Sequence, residues 1–457
     1  MAVKNHPEES KEKELTGDSI RQSINAPGKN ARIFQIGQAR DIIIQTIGTW
    51  WFVPILITMM GGFTFLFFQL RETPPKQMTG DFRIAVAGFQ IVGDRDAHEL
   101  GKDLSNGVYL RMEETFDELK PNFTVMVWGP DLVGEIDGLD EKERAINARM
   151  IAENTKADVI VYGVIDATEN PWEISPAFYL SDTNLSDAQE LTGQHHIGLP
   201  FTASVRESLI ATRIKISNQM AERTSLLALL VEGIAYYSIR DFSTALDKFR
   251  VVSDQNTWSR IGGEELIFLL IGNAALKVND LELAEEAYKR SLDFDDEYAR
   301  AYAGLGSLAY LRSLEIVKKD DGSQVPSDVD TDLLTESLNL FDNALEAKNQ
   351  PELSDIESKV HFGRGQALLM LSFSNPEIAV NPAIPEFDAV IDTYRDGENP
   401  RIRDLAAESY ARLGLIYAAI GQNEVAAEYY SKAVDLWFDN PEKQRIYQAR
   451  LAGLSEE

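Results

Sequence analysis

The side chains able to do chemistry are few in this chain and poorly grouped. His195 and His196 are adjacent, and imidazole is a common metal ligand. Neighbours on a strand point to opposite faces, however, and no acidic residue or histidine stands at helical spacing from them; the pair reads as part of a solvated loop. Asp94, Asp96 and His98 follow an apolar strand, at the carboxyl end where open α/β sheets bind ligands. The simpler reading is a polar connection with Asp96 near a helix N-cap. Asp328-Val-Asp-Thr-Asp332 alternates as a calcium loop does, but Leu333 stands where the turn glycine belongs and Asn339 where the bidentate glutamate belongs. It reads as a solvated excursion. Gly-x-x-x-x-Gly-Lys-Ser/Thr and Gly-x-Gly-x-x-Gly are both absent, so no phosphate cradle is signalled. Without cysteine there is no disulfide, thiolate zinc site or cysteine nucleophile. The sequence predicts no catalytic residue, no cofactor and no metal: a protein that binds rather than converts.

Composition agrees with that reading. The 457 residues allow two or three domains, and 44% hydrophobic residues can build real cores. The formal net charge is −29, and it is unevenly shared. Residues 1–41 hold seven Lys/Arg against six Asp/Glu, so the excess acidity lies beyond them. A body that acidic excludes a nucleic-acid partner, which needs clustered Lys and Arg, and a flat seat on anionic lipid.

What positions the few polar groups is a chain in four parts. Residues 1–41 form a polar tail, in which Asn30 to Ile44 suits a short extended segment. This segment resembles the strand tags by which bacterial signalling proteins dock adaptors, which implies a cytoplasmic partner for the tail; the alternative is a plain linker. Residues 42–70 contain no Asp, Glu, Lys, Arg or His, and the densest part, Trp50 to Leu70, would make a helix of roughly 30 Å, a bilayer core's thickness. Trp50 and Trp51 mark one end and Arg71 the other. A single transmembrane helix over 42–70 is expected. Lys29, Arg32 and Arg40 before it balance Arg71, Lys76 and Arg83 after it, so charge leaves the orientation open.

Residues 80–215 alternate strand and helix: Phe82 to Phe89, a helix from His98 to Leu119, Phe123 to Trp128, a helix from Leu139 to Lys156, then Asp158 to Ile165. That order implies parallel strands covered by helices. Trp172 to Tyr179 and Phe201 to Val205 read as further strands around a polar loop, Ser181 to Gly198. Ile84-Ala-Val-Ala-Gly-Phe89, Leu100-Gly-Lys-Asp-Leu104 and Lys156-Ala-Asp-Val-Ile-Val-Tyr-Gly163 resemble the motifs of the TolB N-terminal-like domain family, related to the curli-secretion (CsgG) domain. The resemblance implies a mixed or parallel sheet, carries over no catalytic residue, and through the curli relatives implies a possible homo-oligomer.

Residues 216–457 are helical in rhythm and repeat themselves. Gly233, Ala245 and Phe249 are spaced by twelve and four residues; Gly272, Ala284, Tyr288 and Gly414, Ala426, Tyr430 repeat that spacing. Leu305-Gly306 follows thirty-four residues after Ile271-Gly272, but its second helix, with Ser337, Phe341 and Ala344, is displaced by nineteen inserted residues. Gly365, Ala383 and Phe387 make a looser set, with Pro376, Pro382 and Pro385 expected to shorten or bend its second helix, and a helix from Asn440 to about Leu454 closes the array. The spacing resembles the tetratricopeptide repeat (TPR) family, an all-α solenoid of about five repeats plus a capping helix here.

That resemblance implies a concave groove lined by the first helix of each repeat. Carried over position by position, the groove would present Tyr237, Asn273, Arg300, Ser307 and Tyr310 to a protein or peptide partner. Asn273 and Arg300 match part of the clamp by which some such proteins hold a terminal carboxylate, but the basic residue expected four before Asn273 is Leu269. The order membrane helix, α/β domain, TPR array resembles the extracytoplasmic half of bacterial membrane sensors. It implies an inner-membrane, single-pass recruiter with its N-terminus cytoplasmic and its body outside; an oligomeric scaffold in envelope assembly or secretion is the alternative.

Overall fold

Local sequence sets each element of the α/β part. In the computed structural model the described residues are 77–93, 97–119, 121–182, 185, 191–204, 209–318, 324–349, 355–374, 380–396 and 402–454. Strands β1 (Phe82–Val86), β2 (Gln90–Gly93), β3 (Val125–Trp128), β4 (Val159–Ala167), β5 (Trp172–Leu180), β6 (Gly193–His196) and β7 (Phe201–Ala203) form one sheet ordered β3-β1-β4-β5-β6, with β2 also on β4 and β7 also on β5. The first four pair in parallel, and β5 to β7 run antiparallel, so the sheet is mixed. Helices α1 (Ala97–Leu119), α2 (Pro130–Val133) and α3 (Glu141–Thr155) connect the parallel strands. Helix α3 begins where Asp140 accepts from Glu143 N at 2.8 Å while Glu143 Oε2 accepts from Leu139 N at 2.7 Å, and it ends at Lys156 in the left-handed region (φ 63). Asp158, buried at the head of β4, takes the Arg83 guanidinium through two hydrogen bonds of 2.8 and 2.9 Å and the Arg83 amide at 2.8 Å, fixing the β1–β4 register.

The two faces of the sheet differ. Alternation along β4 and β5 sends Ile160, Tyr162, Ala177 and Tyr179 to one side, where Ala148 and Ala152 of α3 pack closely. Val159, Val161, Phe178 and Leu180 go to the other side, against Leu100, Leu104, Val108 and Met112 of α1. On that side lies α4 (Leu209–Ser238), thirty residues long. Its N-terminal half packs on α1 and its C-terminal half is the first helix of the repeat array, so helix and core both run across residue 215.

The array continues as helix pairs: α4 with α5 (Phe242–Ser253), then, after the short α6 (Trp258–Ile261), α7 (Glu264–Lys277) with α8 (Leu281–Phe294) and α9 (Ala299–Ser313) with α10 (Thr331–Glu346). Next come α11 (Ile356–Ser374) with α12 (Ala383–Asp396), α13 (Arg403–Ala419) with α14 (Asn423–Leu436), and α15 (Pro441–Gly453) laid on α14. Each spaced glycine meets its aromatic partner. A Cβ built on Gly233 would lie 2.4 Å from the Phe249 ring, on Gly272 2.5 Å from Tyr288, on Gly306 2.7 Å from Phe341, and on Gly365 and Gly414 2.8 Å from Phe387 and Tyr430. The same rings reach forward: Tyr288 also abuts Gly304, and Phe341 abuts Gly363, in the next repeat. Gly272→Val should therefore lower the unfolding free energy by about 1–3 kcal/mol, because the ring it strikes is fully buried and has nowhere to go; urea denaturation followed by circular dichroism reads this directly.

Two expectations change here. The insertion in the third repeat is an antiparallel strand pair, β8 (Leu314–Lys318) and β9 (Gln324–Val329), and Asp330 is a helix cap, accepting from the amides of Asp332 and Leu333 at 3.0 Å each. Pro382 and Pro385 do not bend α12: one precedes it and the other lies in its first turn, where the missing N–H is one no helix uses.

The membrane architecture is corrected. The tail 1–41 and the run 42–70 lie outside the described residues, and among the described residues no helix is long and apolar enough to cross a membrane. The reasons are local. Helix α4 has the length but carries Arg213, Lys215, Glu222, Arg223 and Glu232; α7 is apolar but only 14 residues, about 21 Å. The fold class is a mostly helical, TPR-like array with one mixed sheet, and the single-pass inner-membrane placement, with its cytoplasmic N-terminus and external body, is withdrawn.

Candidate functional site

The five groove positions taken from the sequence do not share one environment. Tyr237 is 3% exposed and packs edge-on against Phe242 at 4.9 Å. Asn273 is 2% exposed; its Oδ1 accepts from Tyr288 Oη at 2.5 Å, and its Nδ2 finds no partner among the described residues. Leu269, where a clamp would need a base, is core. Arg300 is 1% exposed: Nη2 donates to Gln194 O at 3.1 Å and Nη1 lies 3.0 Å from His195 Nε2. Ser307 and Tyr310, further along α9, are half-buried; Ser307 Oγ donates back to Ala303 O at 2.9 Å.

The chain's own α/β part covers Arg300 and meets the first repeats around it. Strand β6 reaches Arg300, Leu199 N donates to Ile261 O at 2.7 Å, and Arg223 Nη2 donates to Leu199 O at 3.1 Å while its guanidinium sits 4.4 Å over the Phe201 ring. Phe123 meets Tyr236 edge-on at 5.2 Å. One apolar cluster runs from Phe82 in β1 to Leu308 in α9, and Tyr237 is part of it.

Beyond α9 the first helices α11 and α13 follow without that cover. Burial raises the Tyr310 phenol's pKa, and the positive charge of Arg412 on α13 opposes the rise, so the two share a field. Arg412 Nε is buried and has no hydrogen-bond partner among the described residues. The sequence reading missed Arg412, although it stands two residues before Gly414 in the best-spaced repeat.

The histidine pair sits on strand β6, inside the stretch expected to be a loop. The two rings do face opposite ways. His195 is buried, stacked on Phe178 at 5.1 Å, with Nε2 2.7 Å from Leu191 O; burial first, then the Arg300 charge, holds its pKa well below the usual histidine value. His196 is exposed and its Nε2 lies 2.8 Å from Glu141 Oε1. On the same face Tyr162 Oη donates to Gln194 Oε1 at 2.7 Å, and Gln194 Nε2 donates to that same Glu141 oxygen at 2.5 Å. The His196 hydrogen bond is the main cause holding the Glu141 carboxyl below its usual value. Among the described residues no group of three or more His, Cys, Asp or Glu is placed to hold a metal ion. His98 lines a separate cleft of about 490 Å³ with Glu99 and Lys102 at the start of α1, and Asp94 and Asp96 lie outside the described residues.

Stacked helix pairs with a small residue under an aromatic define a helical-repeat protein. The chain contains tetratricopeptide repeats: residues 267–298 and 407–437 match the tetratricopeptide repeat family model. No curated protein matches the sequence. Solved structures similar to it include a thermophilic TPR protein of Thermus thermophilus, 16% identical over 51% of this chain and 100% of that one, TM-score 0.34. Others are PilW, a type IV pilus biogenesis factor (13% identical, 50% and 92% covered, TM-score 0.33), and YrrB, described as a TPR protein with an unusual peptide-binding site (14% identical, 53% and 98% covered, TM-score 0.30). These likenesses are too distant to bear on function. Nothing in the comparisons supports the TolB-like relationship, the membrane anchor or the homo-oligomer.

Proposed function

We propose that the chain is a protein-interaction module whose repeat array holds a partner segment on the first-helix face of its later repeats. The repeats themselves support a binding role, since this family typically works by binding proteins rather than by catalysis. The observation that carries the finer reading is the contrast along the groove line. Tyr237, Asn273 and Arg300 are buried, Arg300 beneath strand β6 of the α/β part, whereas Ser307 and Tyr310 stay half-exposed with the Arg412 guanidinium nearby. A half-buried guanidinium whose Nε has no partner among the described residues favours a carboxylate on the partner, and a phenol ring beside it supplies apolar contact. The groove of this protein is thus a half-groove.

Screening the full chain against an immobilised library of peptides with free C-termini tests this. Binders should weaken about tenfold or more in Arg412→Gln and Tyr310→Ala, and be unaffected in Tyr237→Phe, which removes only a sealed hydroxyl. Binders that ignore both of the first two changes would place the contact surface elsewhere.

A further inference from the structure

A cleft separate from the repeat groove lies on the α/β part, over strands whose edge meets the repeats. Over β4, β5 and β6, on the face that α3 covers only in part, is a cleft of about 400 Å³. Its floor is polar and built: Tyr162 and Gln194, both more than nine-tenths buried, are joined by the hydrogen bond described above and tied through Glu141 to His196. Burying two polar side chains under an open cleft costs desolvation that an apolar floor would avoid.

Two carboxylates stand at one end of the cleft, and both cationic side chains, with Glu141, at the other. Asp166 and Glu173 are direct cross-strand partners and point to the same face, so two carboxylates stand opposite each other at one end. Like charges directly opposite destabilise a sheet, and among the described residues no cation pairs with either. Asp166 Oδ1 accepts from Thr168 N and Oγ1, while Glu173 makes no hydrogen bond or ion pair among the described residues. At the other end, level with the register pair Ala177–His196, stand His196 and Arg144, both lining the cleft, with Arg144 Nη1 donating to Gly138 O at 3.2 Å. Glu141, bound to His196, offsets part of that positive charge. The four steps from Ala177 to Glu173 along β5 span about 13 Å at roughly 3.3 Å per residue. An extended peptide of about three to four residues has that length between its charged ends.

We propose that this cleft takes a short zwitterionic peptide, its ammonium between Asp166 and Glu173 and its carboxylate against Arg144 and His196. Both poles contribute: a simple amine leaves Arg144 only Glu141, which it shares with His196, and a simple carboxylate leaves the opposed acids repelling. The middle of the peptide passes Ser175, whose hydroxyl is the one polar group between the two ends of the strand's lining. This site is independent of the groove on the repeats, and either can stand without the other.

Calorimetric titration of the full chain with trialanine, N-acetyl-trialanine and trialanine amide tests it without any mutation. Trialanine should bind, and each blocked form should bind about tenfold or more weakly. Glu173→Gln should weaken trialanine while leaving the acetylated peptide unchanged, and Arg144→Gln should do the same for the amide; both side chains reach the surface, and a matching thermal melt confirms folding. No heat and no thermal shift with trialanine up to about 10 mM overturns the proposal. So does equal binding of the blocked peptides, or spermidine binding as tightly as trialanine, which would make the cleft a plain amine site.

Discussion

Phe341→Ala should cost about 3–5 kcal/mol of unfolding free energy and divide the array in two. The ring is fully buried and fills the space between Gly306 in its own repeat and Gly363 in the next. It matters more than its equivalents because of its neighbours. The cluster joining the third and fourth repeats has Ala299, Ala303, Ala344, Ile356 and Val360 as its buried members besides Phe341, with the half-buried Tyr302 and Leu345 at its edge, and it is separate from the large core that runs back to the sheet. Removing the one large side chain leaves three alanines facing a void. Since each repeat is held chiefly by its neighbours, the loss falls on that joint. Urea unfolding should change from one transition to two, and limited proteolysis should cut between α10 and α11 while both flanking parts survive. A single transition shifted by less than about 1 kcal/mol would show that the joint is held by something other than this ring.

Arg300→Leu should cost about 1.5–3 kcal/mol, since the charge-assisted hydrogen bond from its buried guanidinium to Gln194 O in strand β6 disappears. It should also change the response to acid. The His195 pKa is held well below its ordinary value of about 6.5 by burial and then by Arg300. The unfolded chain therefore binds a proton that the folded one refuses, so this histidine's share of stability is complete above about pH 6.5 and is lost as pH falls below it. Without the Arg300 charge the refusal weakens, and the fall in urea midpoint between about pH 7.5 and 5.5 should be shallower than in the parent chain. Burial remains, so the slope should shrink rather than vanish. Identical slopes would mean that Arg300 does not act on the ring.

The parts of this protein that were readable in its sequence are those fixed by short spacings. A glycine twelve residues before an alanine and sixteen before an aromatic is one helix, one turn and a second helix, and Gly233, Gly272 and Gly414 each meet the ring so placed. Strands β1, β3 and β4 announced themselves through apolar runs, whereas β6 did not, because Gln194, His195 and His196 spend their polarity on long-range partners: Glu141, Arg300 and Tyr162. The groove was legible as a set of positions and illegible as a surface. Nothing near Arg300 in the sequence tells that a strand a hundred residues earlier closes over it. No template position points to Arg412, and the acidic stretch ending at Asp332 reads as a free loop although Asp330 within it caps a helix. The apolar run 42–70 led to an anchor on composition alone, and composition could not supply the context in which such a run sits.

Helix α4 has a consequence for how this architecture was inherited. Exchange of modules between genes needs a seam, a place where the chain can be severed and each piece keep its own interior. Here the same thirty residues are the back wall of the sheet at one end and the first rung of the solenoid at the other. A breakpoint anywhere within them strips both pieces of apolar cover, so descendants of this chain should carry the two parts together or neither.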